Sequence, residues 1–104
     1  MARIRSKGHY QKIYYEGRKF SGTMVGAALR FGSSTGPKLG ITVSKRHGKA
    51  HERNLFKRRV REAFRHTYPR LARQAEINIF PRLPIEKVTR AGIEADLLFF
   101  CPAK

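Results

Sequence analysis

Six polar side chains between positions 53 and 65 have the types and the spacing that bind phosphate groups. They are Arg53, Asn54, Lys57, Arg58, Arg61 and Arg65. On a helix with about 100° per residue and Arg53 at zero, they all fall between 0° and about 140°. Guanidinium groups form paired hydrogen bonds with phosphate, and an amide both donates to and accepts from a base or a ribose hydroxyl. The spacing therefore predicts a surface for nucleic acid along one side of a helix.

The helix that must carry these side chains is predicted from position 50 to about 67. This stretch contains no glycine or proline, and Phe56, Val60, Ala63 and Phe64 recur at spacings of three and four. They fall between about 280° and 20°, so they form a buried seam beside the cations. Tyr68 precedes a proline, which disfavours the helical conformation and ends the helix there.

The net charge of the chain supports a polyanionic partner. Its 104 residues contain 23 Lys and Arg against 7 Asp and Glu, which gives +16. Positions 38–66 hold ten of the cations and two glutamates, and positions 1–20 hold six cations and one glutamate. Charge concentrated in this way destabilises a folded protein unless a polyanion neutralises it, so nucleic acid is the favoured partner.

Several classes of function are disfavoured by the composition. Cys101 is the only cysteine, so an internal disulfide or a cysteine-based zinc site is not expected. The longest apolar run, 97–101, has five residues, whereas a membrane span needs about 20. The chain starts with Met1 and basic residues but no apolar stretch, which indicates no secretory signal and a cytoplasmic location.

The remaining elements give a single α+β domain over residues 1–104, a small α/β sandwich in the order α-β-β-α-β-α. A first helix is predicted from Ser6 through Tyr10, Ile13 and Tyr14 to Gly17. A strand over 20–31, a loop at 32–37 and a strand over 39–44 are interpreted as a hairpin. A third strand is predicted at 76–80, and a last amphipathic helix from Ile85 onward.

The run from Lys45 to Arg65 closely resembles the signature helix of the bacterial ribonuclease P protein subunit family. The strand 40–45, the Gly-Lys-Ala step at 48–50 and the Arg-Asn pair at 53–54 follow the family's order. The segments 10–14 and 94–98 and the glycine at 17 match its flanking motifs. The resemblance implies a left-handed β-α-β crossover through the basic helix, which is rare among such connections.

The resemblance implies that, in this family, the protein assists a catalytic RNA subunit that removes the 5′ leader from precursor tRNA. The chain would therefore belong to an endoribonuclease while contributing no catalytic residue of its own. Mg²⁺ is expected to be held mainly by the RNA. The expected partners are the ribonuclease P RNA and precursor tRNA, with no DNA and no membrane.

The family pattern also assigns two groups of residues. The residues expected to bind the RNA subunit are Arg46, Lys49, Arg53, Asn54, Arg58 and Arg65. The residues expected to bind the leader are Tyr10, Tyr14, Lys57, Arg58 and Arg61. Leaders differ in sequence, so stacking on tyrosine and attraction to backbone phosphates suit them.

The sequence departs from the family pattern at two positions. Leu55 stands where the third residue of an Arg-Asn-Arg segment is expected, and Arg59 at about 240° could replace it from a similar side of the helix. Ala28 or a neighbour stands where a cleft aromatic is usual in the first long strand. A smaller stacking surface is therefore expected.

Other functions remain open at this level. A general basic RNA-binding or ribosomal protein would be equally small and cationic. A stand-alone nuclease is disfavoured because the four histidines are scattered and no carboxylate cluster is present to hold metal ions. An architectural DNA-binding protein fits the charge, but the pattern of the basic helix does not support it.

Overall fold

The sheet contains five strands in the part of the chain that the computed structural model describes, which is residues 2–3, 13, 17–31 and 36–102. The strands are β1 (Ala2–Arg3), β2 (Arg18–Ser21), β3 (Val25–Phe31), β4 (Lys38–Ile41) and β5 (Ala75–Pro81). The two long helices are α1 (Ala50–Thr67) and α2 (Arg90–Phe100). Single 3-10 turns lie at Lys45–His47, Tyr68–Arg70 and Ile85–Lys87.

The order of strands across the sheet is β1-β4-β5-β3-β2. β5 pairs parallel with β4 and antiparallel with β3, and α1 forms the crossover between β4 and β5. The mixed α/β class is confirmed, and so is the predicted range of α1. The predicted pairing of the strand at 20–31 with the strand at 39–44 is wrong, because β5 lies between β3 and β4. The handedness of the crossover stays a prediction.

One face of the sheet packs against both helices. Leu29 and Ile77 face each other across β3 and β5, and the side chains of Phe56 and Phe64 of α1 are fully buried against this layer. The aromatic edge of Tyr68 packs on Phe64 with ring centroids 5.5 Å apart. Burial of this apolar seam is the main source of stability for α1, since its opposite side is highly charged.

The predicted strand at 20–31 is in fact a hairpin of β2 and β3, with a turn at 22–24. Asp96 of α2 determines this turn. One carboxylate oxygen accepts hydrogen bonds from the Thr23 amide (3.0 Å) and hydroxyl (3.0 Å), and the other from the amides of Met24 (2.9 Å) and Val25 (3.1 Å). A β-carbon at position 22 would overlap this carboxylate, so the turn also requires Gly22. A buried side chain 71 to 73 positions away thus interrupts the strand.

The opposite face of the sheet, which we call the open face, carries a different set of side chains. Because side chains alternate along a strand, Gly26 and Ala28 of β3 and Asn78 and Phe80 of β5 point to this face. Ile13, which is helical and fully buried, packs on Ala28. The rest of the predicted first helix, including Tyr10 and Tyr14, lies outside the described residues, as do positions 32–35 of the predicted loop.

The thiol of Cys101 is buried at the end of α2, and desolvation raises its pKa from 9.0 to about 12. A shift of this size lowers the thiolate fraction at pH 8 by about 1,000-fold. We therefore expect Ellman's reagent to modify the native protein about 1,000-fold more slowly than the protein in guanidinium chloride. The folded state favours the neutral thiol. The free energy of unfolding therefore falls as the pH rises above about 9, where the thiol of the unfolded chain ionises. Rapid modification in native buffer would contradict this burial.

Candidate nucleic-acid interface

The polar side chains of α1 form two rows that differ in burial. Arg53, Lys57 and Arg61 are half-buried and recur every four residues, and we call them the flank row. Asn54, Arg58 and Arg65 are exposed, and we call them the outer row. On the helix the flank row spans about 0° to 80° and the outer row about 100° to 140°. The predicted cationic side of α1 is therefore present as a continuous surface that starts beside the core and continues into solvent.

Arg53, at the start of the flank row, has a nitrogen atom that the protein encloses. Its Nε atom is buried and has no hydrogen-bond partner within the described part of the chain. A desolvated guanidinium N–H without a partner is unfavourable, and an anionic oxygen is the acceptor that satisfies it best. The position of Arg53 therefore favours an anion at this end of α1.

Arg59 lies on the opposite flank of α1 and is tied to the polypeptide backbone. Its guanidinium donates to the carbonyl oxygen of Val88 at 2.7 Å and approaches that of Ile85 at 3.5 Å. These bonds attach α1 to the 3-10 turn before α2. The hypothesis that Arg59 replaces the cation missing at Leu55 stays a prediction, and these bonds leave only the donors other than Nη1 for such a contact.

The segment just before α1 contains Arg46 and Lys49, the other two cations that were predicted to bind the RNA subunit. In the 3-10 turn, the Ser44 amide donates to Nδ1 of His47 at 2.9 Å. Gly48 has a φ of 142°, a value that L-residues with side chains rarely adopt. The Lys49 amide then donates to Oε1 of Glu52 at 3.0 Å, so the first turn of α1 is capped. Arg46 and Lys49 are both exposed here.

A shallow groove on the outer side of α1 contains His51, which the sequence pattern did not identify as part of the interface. It is lined by His51, Asn54, Leu55, Arg58 and Arg61. His51 lies one helical turn before Leu55, and the spacing of three and four along the helix was the signal that could have identified it. Leu55 is half-buried and gives this groove an apolar floor between polar groups.

Comparison with known proteins identifies the family that shares this arrangement. The profile described as Ribonuclease P matches residues 1–101. The chain belongs to the ribonuclease P protein family. Its Ribonuclease P protein component relative from Finegoldia magna is 28% identical over 99 residues, which is 95% of this chain and 87% of that protein. The component from Chlamydia trachomatis serovar L2 is 62% identical over 45 residues, and this match spans 43% of the chain but only 37% of the relative's length.

Solved structures of the family share the fold. The RNase P protein from Thermotoga maritima has a TM-score of 0.83 and 28% identity, covering 97% of this chain and 96% of the other. The Staphylococcus aureus RNase P protein has a TM-score of 0.80 and 26% identity, covering 97% and 92%. The α+β architecture of this ribonuclease P family member is therefore that of its structural relatives.

The two departures from the family pattern have clear structural settings. Ala28 is 2% exposed beneath Ile13, so it offers no stacking surface. Leu55 faces the groove on α1. The predicted stacking residues Tyr10 and Tyr14 lie outside the described residues, so their role in this family member stays a prediction.

The acidic side chains of α1 lie beside donors of the protein itself. In the described ranges, no three His, Cys, Asp or Glu side chains come together in a group that could hold a metal ion. Glu52 of α1 accepts from the Lys49 amide, and Glu62 lies 3.8 Å from Nε of Arg58, so neither carboxylate is paired with another. No helix within the described part of the chain has the length and hydropathy to span a membrane.

Proposed function

We propose that this chain is the protein subunit of a ribonuclease P ribonucleoprotein that removes 5′ leaders from precursor tRNA. The observation that carries the proposal is the family match over residues 1–101 on a chain whose α1 presents continuous cationic rows. The chain binds the catalytic RNA subunit and the leader, and the RNA performs the hydrolysis. Its cytoplasmic location belongs to the same proposal.

Catalytic chemistry is assigned to the RNA on the family resemblance, and the cationic rows of α1 suit a role in RNA binding. Mg²⁺ is hard and prefers oxygen ligands, which RNA phosphates supply in abundance. The chain's own contribution is electrostatic. Its cations neutralise phosphates of two RNA molecules that would otherwise repel one another.

Contacts with the RNA subunit are assigned mainly to the exposed cationic surface around the start and outer side of α1. These residues are Arg46, Lys49, Arg53, Asn54, Arg58 and Arg65. The outer row is accessible to a large rigid partner, since all three of its side chains are exposed. Arg53 joins this set through its unpartnered Nε, which an RNA phosphate would satisfy.

Leader contacts are assigned to Tyr10, Tyr14, Lys57, Arg58 and Arg61. Lys57 and Arg61 belong to the flank row, so an extended strand of RNA that follows this flank meets a cation at each helical turn. Half-burial restricts both side chains and reduces the entropy lost on binding. Arg53 extends the same row, and we assign it a position where the two RNA molecules meet.

The decisive experiment reconstitutes the activity. The purified chain is mixed with a bacterial ribonuclease P RNA and a 5′-labelled precursor tRNA at low Mg²⁺, where the RNA alone is slow. We expect faster release of the intact leader with the chain than without it. A general RNA-binding protein would bind both RNAs without stimulating cleavage, so an unrelated basic ribosomal protein at equal charge is the control. Absence of stimulation across a Mg²⁺ titration would overturn the proposal.

A further inference from the structure

Two phenylalanine rings are largely exposed to solvent near the end of α2. Phe31, the last residue of β3, is 60% exposed, and Phe99 of α2 is 70% exposed. Phe100 connects them, because its ring centroid lies 6.0 Å from that of Phe99 and because it lines two grooves together with Phe31. We call these three rings and the two grooves the aromatic surface. An exposed apolar patch of this kind is typical of a site that binds another molecule.

The larger groove has an apolar floor that backbone contacts hold in place. Leu71 and Ala72, which follow α1, line it together with Cys101 and Pro102, which follow α2. The Ala72 amide donates to the carbonyl oxygen of Cys101 at 3.0 Å, and Leu71 pairs with Pro102. The two segments are therefore tied to each other, and the groove between them and Phe31 is preformed. A preformed apolar groove can bind a side chain with little loss of conformational entropy.

Phe31 also borders the second groove, which contains cations. Arg18, Phe20 and Arg30 line this groove with Phe100. The ring of Phe20 packs on that of Phe100 with centroids 5.9 Å apart, so the aromatic contacts continue from α2 to β2. The exposed ring of Phe31 is thus shared by an apolar groove and by a groove with two arginines.

The charged groups that line the aromatic surface are cations. Arg73 lines the larger groove and Arg18 the second, and both side chains are exposed. Nη1 of Arg30 contacts Oε1 of Glu76 at 2.7 Å, but Glu76 is only 4% exposed. Among the described residues that line the two grooves there is no aspartate or glutamate. An apolar centre with a cationic rim is complementary to an apolar side chain flanked by carboxylates.

Other occupants fit this surface less well. A symmetric contact between two copies would place the same arginines opposite one another, in chains that each carry a net charge of +16. An RNA strand could stack on the exposed rings, but its charged backbone would not enter the apolar groove beside Leu71. A lipid bilayer would contact the projecting rings and leave both concave grooves unfilled. A peptide segment is the occupant whose side chains can fill them.

We propose that the aromatic surface binds an acidic segment of a partner protein. One aromatic or leucine side chain of that segment fills the larger groove against Phe31, and its flanking carboxylates contact Arg18 and Arg73. The surface shares no residue with the two rows of α1, so this inference does not depend on the proposed function. It also allows the chain to bind RNA through α1 and a protein through the aromatic surface at the same time.

The test is a selection from a library of short random peptides displayed on phage. The full chain is immobilised and excess tRNA is added, so that a polyanion occupies the cationic rows of α1. We expect enrichment of peptides that combine Phe, Trp or Leu with several Asp or Glu residues. An enriched peptide is then synthesised with a fluorescent label, and its affinity for the chain is measured by fluorescence anisotropy in the presence of tRNA.

Alanine variants at the two exposed rings locate the binding site. Phe31→Ala and Phe99→Ala are each expected to weaken binding of the selected peptide about tenfold or more, as truncation of a buried aromatic anchor does. Leu83→Ala is the matched control, because Leu83 is 37% exposed and lies outside the aromatic surface, and it should bind like the unaltered chain. Thermal unfolding of each variant shows whether it is folded.

A pair of charge variants separates the cationic rim from the net charge of the chain. Arg73→Gln removes an exposed cation of the larger groove, and we expect it to weaken the peptide about threefold, as loss of an exposed ion pair does. Lys87→Gln removes an exposed cation outside the aromatic surface and should leave the affinity unchanged. Equal losses in the two variants would contradict contacts between the peptide carboxylates and the rim.

Three results would overturn the proposal. The first is that no acidic peptide with an apolar side chain is enriched. The second is that the selected peptide binds Phe31→Ala and Phe99→Ala as tightly as it binds the unaltered chain. The third is that these two variants lower the affinity for ribonuclease P RNA, or for vesicles of phosphatidylglycerol, by as much as they lower the affinity for the peptide. The surface would then bind RNA or a membrane.

Discussion

Replacement of Asp96 by alanine is expected to lower the free energy of unfolding by about 4 kcal/mol, because three backbone amides lose their acceptor together. Asp96 is 4% exposed, so water does not readily replace the carboxylate. The hydroxyl of Thr23 loses a partner as well. The effect is large for a domain of this size, whose total stability is on the order of 5–10 kcal/mol. Urea unfolding followed by circular dichroism at constant ionic strength measures it.

Glu94→Gln is the matched control for this change. It removes one negative charge from the same helix and breaks only the ion pair with Arg90, at 3.2 Å on the surface. We expect a loss below about 0.5 kcal/mol. If Asp96→Ala and Glu94→Gln destabilise the chain equally, the effect is one of net charge and the turn at 22–24 does not depend on Asp96.

The double substitution Lys57→Ala with Arg61→Ala is expected to weaken binding of leader-bearing precursor tRNA by about 10- to 100-fold at physiological salt. Two half-buried cations of the flank row are lost, and each is expected to contact one phosphate of a single strand. The slope of log affinity against log salt should fall in magnitude by about 1.4, which is about 0.7 for each phosphate contact. Affinity for mature tRNA should change less than twofold. Filter binding at several salt concentrations, with the RNA subunit present, gives all three quantities.

Lys87→Ala with Arg70→Ala removes the same charge from exposed positions outside α1. Because these cations do not belong to the flank row, the double control should retain the preference for leader-bearing tRNA. Equal losses in the two double variants would show that binding depends on overall charge. In that case the assignment of Lys57 and Arg61 to the leader should be abandoned.

The local features of the chain could be predicted from its sequence. The range of α1 follows from an apolar period near 3.6 without glycine or proline, and it is confirmed. The separation of Phe56 and Val60 from the cations is also present as predicted. The division between half-buried Lys57 and exposed Arg58 was not predicted, since exposure depends on what packs beside the helix.

Features set by distant partners could not be predicted. The turn at 22–24 resembles a strand locally, and it depends on a carboxylate in α2. The strand pair expected between β3 and β4 does not form because β5, which comes later in the sequence, pairs with both. The angular position of Arg59 on the helix could be predicted. Its hydrogen bond to the carbonyl oxygen of Val88 could not, because Val88 lies 29 positions away in the sequence.

The central place of β5 also determines how the polypeptide can fold during synthesis. Until residues 75–81 leave the ribosome, β3 and β4 lack the strand that joins them, and the sheet can form only as two separate pairs, β2 with β3 and β1 with β4. The apolar seam of α1 has no completed sheet to cover it during that interval, while most of the positive charge of the chain has already been translated. Nascent chains in this state are prone to aggregation and to nonspecific binding of ribosomal RNA.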